Sequence, residues 1–132
     1  MKNARVNLMN LLYQYDLYNS DEINFDPEFE TKKDNEIYND IISKIPSIDN
    51  VIEENLYNYS LSRLSFLDRA IIRLATYEMM YTDLPIPIII NEAINLSKEY
   101  TNLDDMKQHK FNNSVLDKIS KNIKRWRFCK TI

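Results

Sequence analysis

Leu67-Asp68-Arg69-Ala70-Ile71-Ile72-Arg73-Leu74-Ala75-Thr76-Tyr77-Glu78-Met79 is the stretch on which the fold turns. Leu67, Ala70, Ile71, Leu74 and Tyr81 recur at intervals of three and four, which draws one face of a helix. Ser65 stands where an N-cap belongs, and Asp68 falls in the first turn as a variant of the capping box. Glu78 lies on the same stripe. A carboxylate there predicts a buried acceptor of hydrogen bonds before it predicts a general base.

The same spacing extends outward in both directions. Upstream, Leu8, Met9, Leu12, Tyr13 and Tyr15 predict a helix over Ala4–Asn19. Residues Ser20–Lys33 are rich in Asp, Glu and Asn and predict a loop, with room for a short helix after Pro27. Asp34–Ile45 carries a stripe of Ile37, Tyr38, Ile41, Ile42 and Ile45 and is stopped by Pro46. Ser47 can cap a further helix running to about Tyr59. Downstream, Leu84-Pro85-Ile86-Pro87 breaks the chain, and Pro87 suits the first position of a helix over Ile88–Tyr100. A polar loop spans Thr101–Lys107, and a last helix runs from Lys110 to Lys124 through Phe111, Val115, Leu116, Ile119 and Ile123. Ile, Val and Tyr could feed strands, but their period here is not two. The fold class is therefore all-α, with six helices and a short seventh, and short connections imply antiparallel neighbours. Leu12, Ile41, Ile52, Ile71, Leu74, Ile94, Val115 and Leu116 should supply the core.

Length and composition bound the function. At 132 residues the chain fits a single domain over 1–132, with 125–132 as a basic C-terminal tail. It contains no glycine. Loops that cradle phosphate need residues without a Cβ, so P-loop and Rossmann nucleotide sites are excluded. Cys129 is the one cysteine, so no intrachain disulfide and no cysteine cluster for zinc can form. His109 is the one histidine, and nothing in the sequence supports it as part of a nucleophilic triad. Adjacent carboxylates such as Asp104-Asp105 and Glu53-Glu54 do not face each other on a helix. No enzymatic activity, metal site or cofactor is expected. No signal peptide or membrane span is visible, so the expectation is a cytoplasmic protein with no membrane association.

The net charge of −3 is unevenly spread. Residues 16–54 hold twelve acidic and three basic side chains, whereas 107–132 hold eight basic side chains and only Asp117 against them. A polyanion-binding end would read this way, and so would a merely polarised surface. Lys2 and Arg5 open the first helix, and Tyr13 follows Arg5 by eight residues, on a similar side. His109-Lys110-Phe111 opens the last helix, where free N–H groups favour phosphate. Cations with aromatic rings suit unpaired nucleic acid, although Tyr13 and Phe111 could equally be core residues.

Four runs carry a resemblance to the NusB family. Residues 67–79 resemble its "LDRAILRLALYEL". Residues 91–98, NEAINLSK, are similar to "NEAIELAK", and residues 109–119, HKFNNSVLDKI, to "HKFVNGVLDKI". The first helix resembles "ARExALQALYQ". The resemblance implies two small three-helix bundles with about seven helices. It also implies a transcription antitermination factor that binds boxA-like single-stranded RNA with the small-subunit ribosomal protein NusE. The pair acts on RNA polymerase with other Nus factors at ribosomal RNA operons. Carried over, the RNA surface is Lys2, Arg5, Tyr13, His109, Lys110 and Phe111, and the partner docks at Asp68. The chain departs from the pattern in several places. The arginine cluster before the first helix is thinned to Lys2 and Arg5, Asn112 replaces a Val, Ser114 replaces a Gly, and the loop at 101–108 is longer. The tail, with Trp126 and Phe128 between Arg125 and Arg127, could supply the missing charge or fold back on the bundle. Two other roles fit the same fold: a helical protein-interaction adaptor without RNA binding, or the RNA-binding module of a ribosomal RNA methyltransferase.

Overall fold

A computed structural model describes residues 2–57, 59–101 and 107–123, with the side chains of residues 2 and 3 outside that description. Every regular element among the described residues is helical. They are α1 (Lys2–Ser20), α2 (Lys32–Ser43), α3 (Ile45–Glu54), a 3-10 turn (Leu61–Arg63), α4 (Phe66–Tyr81), α5 (Ile86–Tyr100) and α6 (Lys107–Asn122).

α4 is the deciding stretch, and it is buried on nearly every side, from Asp68 and Ala70 through Tyr77 and at Met79. A helix with so little solvent-facing surface has to be surrounded. α1 and α3 pack against it, and so do α5 and α6. α1, α2 and α3 form one three-helix group, α4, α5 and α6 the other, and α4 is the spine between them. Leu12, Ile41, Ile52, Ile71, Leu74, Val115 and Leu116 are all buried, as their stripes predict. Ile94 is the exception. It is only half-buried, because it faces the outer groove between α5 and α6.

Two arginines cross this apolar spine. Arg73 is 5% exposed. Its Nε and Nη2 each donate to Asp49 of α3 at 2.8 Å, and its Nη1 donates to both oxygens of Asp16 of α1 at 2.9 Å. Arg69 stands 3.5 Å from the same Asp16. Two cations and two carboxylates thus cancel inside the fold, and the forked geometry uses the guanidinium fully. Burial works against the charge on Arg73, but the Asp49 and Asp16 contacts outweigh it and push its pKa up. One turn on, the Tyr77 hydroxyl donates to Asp40 of α2 at 2.6 Å. Burial and that carboxylate raise the Tyr77 phenol above its ordinary range.

Element boundaries differ from the sequence expectation where local chemistry intervenes. The segment after Pro27 is extended rather than helical. Phe25, Pro27 and Phe29 alternate inward, and the two phenylalanine rings meet Tyr38 at 6.3 and 5.6 Å. The short seventh element lies instead at Leu61–Arg63. Pro46 sits in the first turn of α3 instead of ending α2. α3 stops at Glu54, well before Tyr59, because the Asn55 side chain donates to Val51 O and accepts from Asn122 of α6. α6 begins at Lys107, so His109, Lys110 and Phe111 lie within its first two turns.

The absence of glycine leaves a mark at the end of α1. Ile23 N–H donates to Tyr18 O and Glu22 N–H to Asn19 O, the paired bonds of a Schellman motif. The left-handed position of that motif is Glu22, with φ 57°. A side chain with a Cβ is strained there by about 1–2 kcal/mol. Glu22→Gly should therefore raise stability in urea unfolding by up to about 1 kcal/mol, part of the relief being offset by the freer unfolded chain. A loss of stability would show that the Glu22 backbone is unstrained.

Candidate nucleic-acid interface

α6 opens with no acidic residue in its first turn, and Lys107, His109 and Lys110 follow in quick succession. Neighbours on a helix point about 100° apart, so these residues do not share one face. Lys110 is exposed. Phe111 turns to one side and packs half-buried against Tyr59, ring centroids 5.3 Å apart. His109 turns to the other side, into a groove of about 480 Å³ between α5 and α6. Lys98 and Lys110 stand on the walls of that groove with Asn113, over Ile90 and Ile94. The His109 Nδ1 is buried and has no hydrogen-bond partner among the described residues. The groove can take a phosphate at its cationic wall and an apolar ring on its floor. The structure brings His109 and Lys110 together there, and Phe111 lies apart from them.

Asp68 occupies a different environment. It is 5% exposed. Its backbone N–H donates to the Ser65 hydroxyl at 3.1 Å, which is the helix cap expected from the sequence. The Ser65 hydroxyl in turn donates to Asp68 Oδ2 at 2.7 Å. Asp68 Oδ1 accepts from Asn112 of α6 at 3.0 Å, and the same Asn112 amide is 3.0 Å from the Ser97 hydroxyl of α5. Gln108 donates to Asn112 Oδ1 at 3.0 Å. The carboxylate is thus the knot that ties α4 to α5 and α6. Asn112 is fully buried. It stands where the family run has Val, and Ser97 stands where that run has Ala. Two apolar positions have become a hydrogen-bonded polar pair around one carboxylate. The quoted motifs contained this signal, because two polar residues replacing apolar ones on facing helices call for hydrogen-bond partners, and the structure supplies them in each other and in Asp68, Gln108 and Thr101.

The remaining candidates lie on α1. Arg5 is 6% exposed, and its guanidinium faces Glu78 of α4 at 3.3 Å. Glu78 is therefore paired, as its place on the buried stripe suggests. Burial raises its carboxyl, Arg5 opposes that rise and Glu92 adds to it, so it stays above the ordinary range. Tyr13 is half-buried against the core. The Lys2 side chain, the loop residues 102–106 and the basic tail from Lys124 on, with Trp126, Phe128 and Cys129, lie outside the described residues. No group of three or more His, Cys, Asp or Glu side chains among the described residues could hold a metal ion.

Comparison with known proteins gives this arrangement a family. The profile of the NusB family matches residues 2–121. The transcription antitermination protein NusB of Macrococcus caseolyticus is 41% identical over 66% of this chain and 65% of its own length. A stretch that is 46% identical to the protein of that name from Pseudothermotoga lettingae spans 56% of that relative's length. The protein of that name from Nitratiruptor sp. is 35% identical over 92% of this chain and 91% of its own. In three dimensions the chain is similar to T. maritima NusB, with a TM-score of 0.73 and 32% identity, covering 92% of this chain and 90% of that one.

The Asn112 knot makes a direct prediction. Asn112→Val should lower stability by about 1–3 kcal/mol, because it strands the buried Asp68 Oδ1 and leaves the Ser97 hydroxyl with Thr101 as its remaining partner. In a double-mutant cycle with Ser97→Ala the two changes should couple, the pair costing less than the sum of the singles. Additive losses in chemical denaturation would mean that Asn112 and Ser97 act independently.

Proposed function

The chain belongs to the NusB family of transcription antitermination proteins, and from that premise we propose that it binds boxA-like single-stranded RNA jointly with the ribosomal protein NusE. The complex acts on RNA polymerase, with other Nus factors, at ribosomal RNA operons in the cytoplasm. No enzymatic step and no cofactor enter this role. The observation that carries the reading is the start of α6. Lys110 stands exposed near the start of α6, whose first turn holds no acidic residue, with the Phe111 ring on one side and the Lys98 and His109 groove on the other. Helix N–H groups and lysines attract phosphate, and an aromatic ring accepts an unpaired base. The family resemblance adds Lys2 and Tyr13 of α1 to the proposed RNA contacts. Arg5, already engaged by Glu78, contributes by holding the start of α1 in place.

Asp68 serves the NusE interface in the same indirect way. Both of its oxygens are occupied by Ser65 and Asn112, so it fixes the α4, α5 and α6 junction on which the partner sits. Among the described residues no helix is long and apolar enough to cross a membrane. The pairing of Arg5 with Glu78 favours one second reading. With that arginine withdrawn from the surface, the fold could act as a protein adaptor without RNA.

RNA binding in the presence of NusE separates the two. Lys110→Gln removes one phosphate contact, so the slope of log affinity against log salt should shrink by about 0.7. Phe111→Leu keeps an apolar side chain on Tyr59 but removes the ring, and should weaken binding by roughly 1–3 kcal/mol with an unchanged salt slope. Variants that stay folded and bind boxA RNA like the parent would leave the adaptor reading in possession.

A further inference from the structure

One surface beside the α6 start remains unused by this reading. Tyr57 is 81% exposed, the most open of the large apolar or aromatic side chains among the described residues. It belongs to the segment between α3 and the 3-10 turn, and the ammonium of Lys118 on α6 lies over its ring, 6.0 Å from the centroid. Two residues on, Tyr59 packs on Phe111, and the guanidinium of Arg63 lies over the Tyr59 ring at 5.2 Å. Phe111 and Lys118 are seven residues apart, two turns of one helix, so they lie on one face about 10 Å from each other. Ser114, exposed and small, fills the interval between them. The nearby carboxylates are already engaged. Asp117 is paired with Lys121 at 3.0 Å, and Glu53 accepts the backbone N–H of Leu61 at 3.1 Å.

The result is a track in which rings and cations alternate, from Phe111, Tyr59 and Arg63 at one end to Tyr57 and Lys118 at the other. One exposed tyrosine is ordinary on a protein surface, but this one carries a cation over its ring and stands beside a second pair of ring and cation. Aliphatic or acidic peptide partners explain the cations or the rings, but not both together. Unpaired nucleotides explain both, because each carries a flat base and a phosphate. The Lys118 ammonium lies over one face of the largely exposed Tyr57 ring, which leaves the other face for a base and the cation within reach of the phosphate that follows it.

We propose that Tyr57 and Lys118 form a second stacking position for single-stranded RNA, one or more nucleotides along from the base held by Phe111. This rests on the RNA-binding reading above and adds a subsite that the family resemblance does not assign to these two residues. The track runs parallel to α6 and away from its N-terminus, so it sets the line along which the strand lies.

The test uses the full chain with NusE and a fluorescein-labelled boxA RNA, titrated at several salt concentrations. Tyr57→Ala should weaken binding by on the order of ten-fold. Tyr57→Trp should restore it, because stacking needs a ring and not the hydroxyl. Lys118→Gln should reduce the salt slope by about 0.7. Shortening the RNA one nucleotide at a time should reach a length at which Tyr57→Ala costs nothing while Phe111→Leu still weakens binding. Tyr57 is exposed, so helix content by circular dichroism should not change in any of its variants. If Tyr57→Ala binds like the parent while Lys110→Gln and Phe111→Leu weaken binding, the second position is wrong and the RNA reading stands. If none of these variants matters, or the parent itself does not bind this RNA, both are overturned.

Discussion

The seating of α1 and α3 on the central helix α4 hangs from the guanidinium of Arg73. It is almost wholly buried, and its donors are divided between Asp16 of α1 and Asp49 of α3. Removing one member of such a cluster strands a charge in the interior, at a cost of about 3–5 kcal/mol. Replacing the whole cluster with apolar residues could be neutral, so its contribution is to geometry more than to net stability. Apolar packing alone would let α1 and α3 slide along α4. Two forked ion pairs allow one register. The Tyr77 bond to Asp40 sets α2 in the same manner, one turn further along.

The first turn of α4 repeats the logic with a carboxylate. Asp68 caps its own helix through Ser65 and reaches α6 through Asn112, which in turn meets Ser97 of α5. The consequence for function is positional. α6 carries Lys110 and Phe111, and its register against α4 decides where they stand relative to the segment holding Tyr57 and Tyr59. A chain with a net charge of −3 can still offer a cationic face, because acidic side chains such as Asp16 and Asp49 are consumed inside by arginines while Lys98, Lys110 and Lys118 remain outside.

Much of this was legible in the residues. The period of three and four marked all six helices, and Ser65 marked the cap of α4 correctly. Glu78 stood out as a carboxylate on an apolar stripe, and the structure gives it Arg5. Other features depend on contacts between distant segments, which periodicity does not encode. Ile94 fits its stripe yet faces a groove, because α5 is covered on one side only. The segment after Pro27 has helix-compatible residues, but Phe25 before it and Phe29 within it are both held on Tyr38, which keeps it extended. Asp16 and Arg73 are 57 residues apart, and nothing local to either says that they meet. His109, Lys110 and Phe111 are adjacent in sequence, yet the helix turns them to three directions, so a motif that reads as one site becomes two surfaces sharing one lysine. Tyr57 and Lys118 carry no motif at all and become visible only when α6 is laid against the segment after α3.

The central claim is that RNA lies on the start of α6 and along the face shared with residues 57–63. The most direct measurement is an amide chemical-shift map of the isotope-labelled protein, bound to NusE and titrated with boxA RNA. The account predicts that the RNA-dependent shifts concentrate at residues 107–118 and 57–63, with the amides of buried α4 little changed. Shifts confined to α2 and the acidic segment before it, or none at saturating RNA, would contradict it.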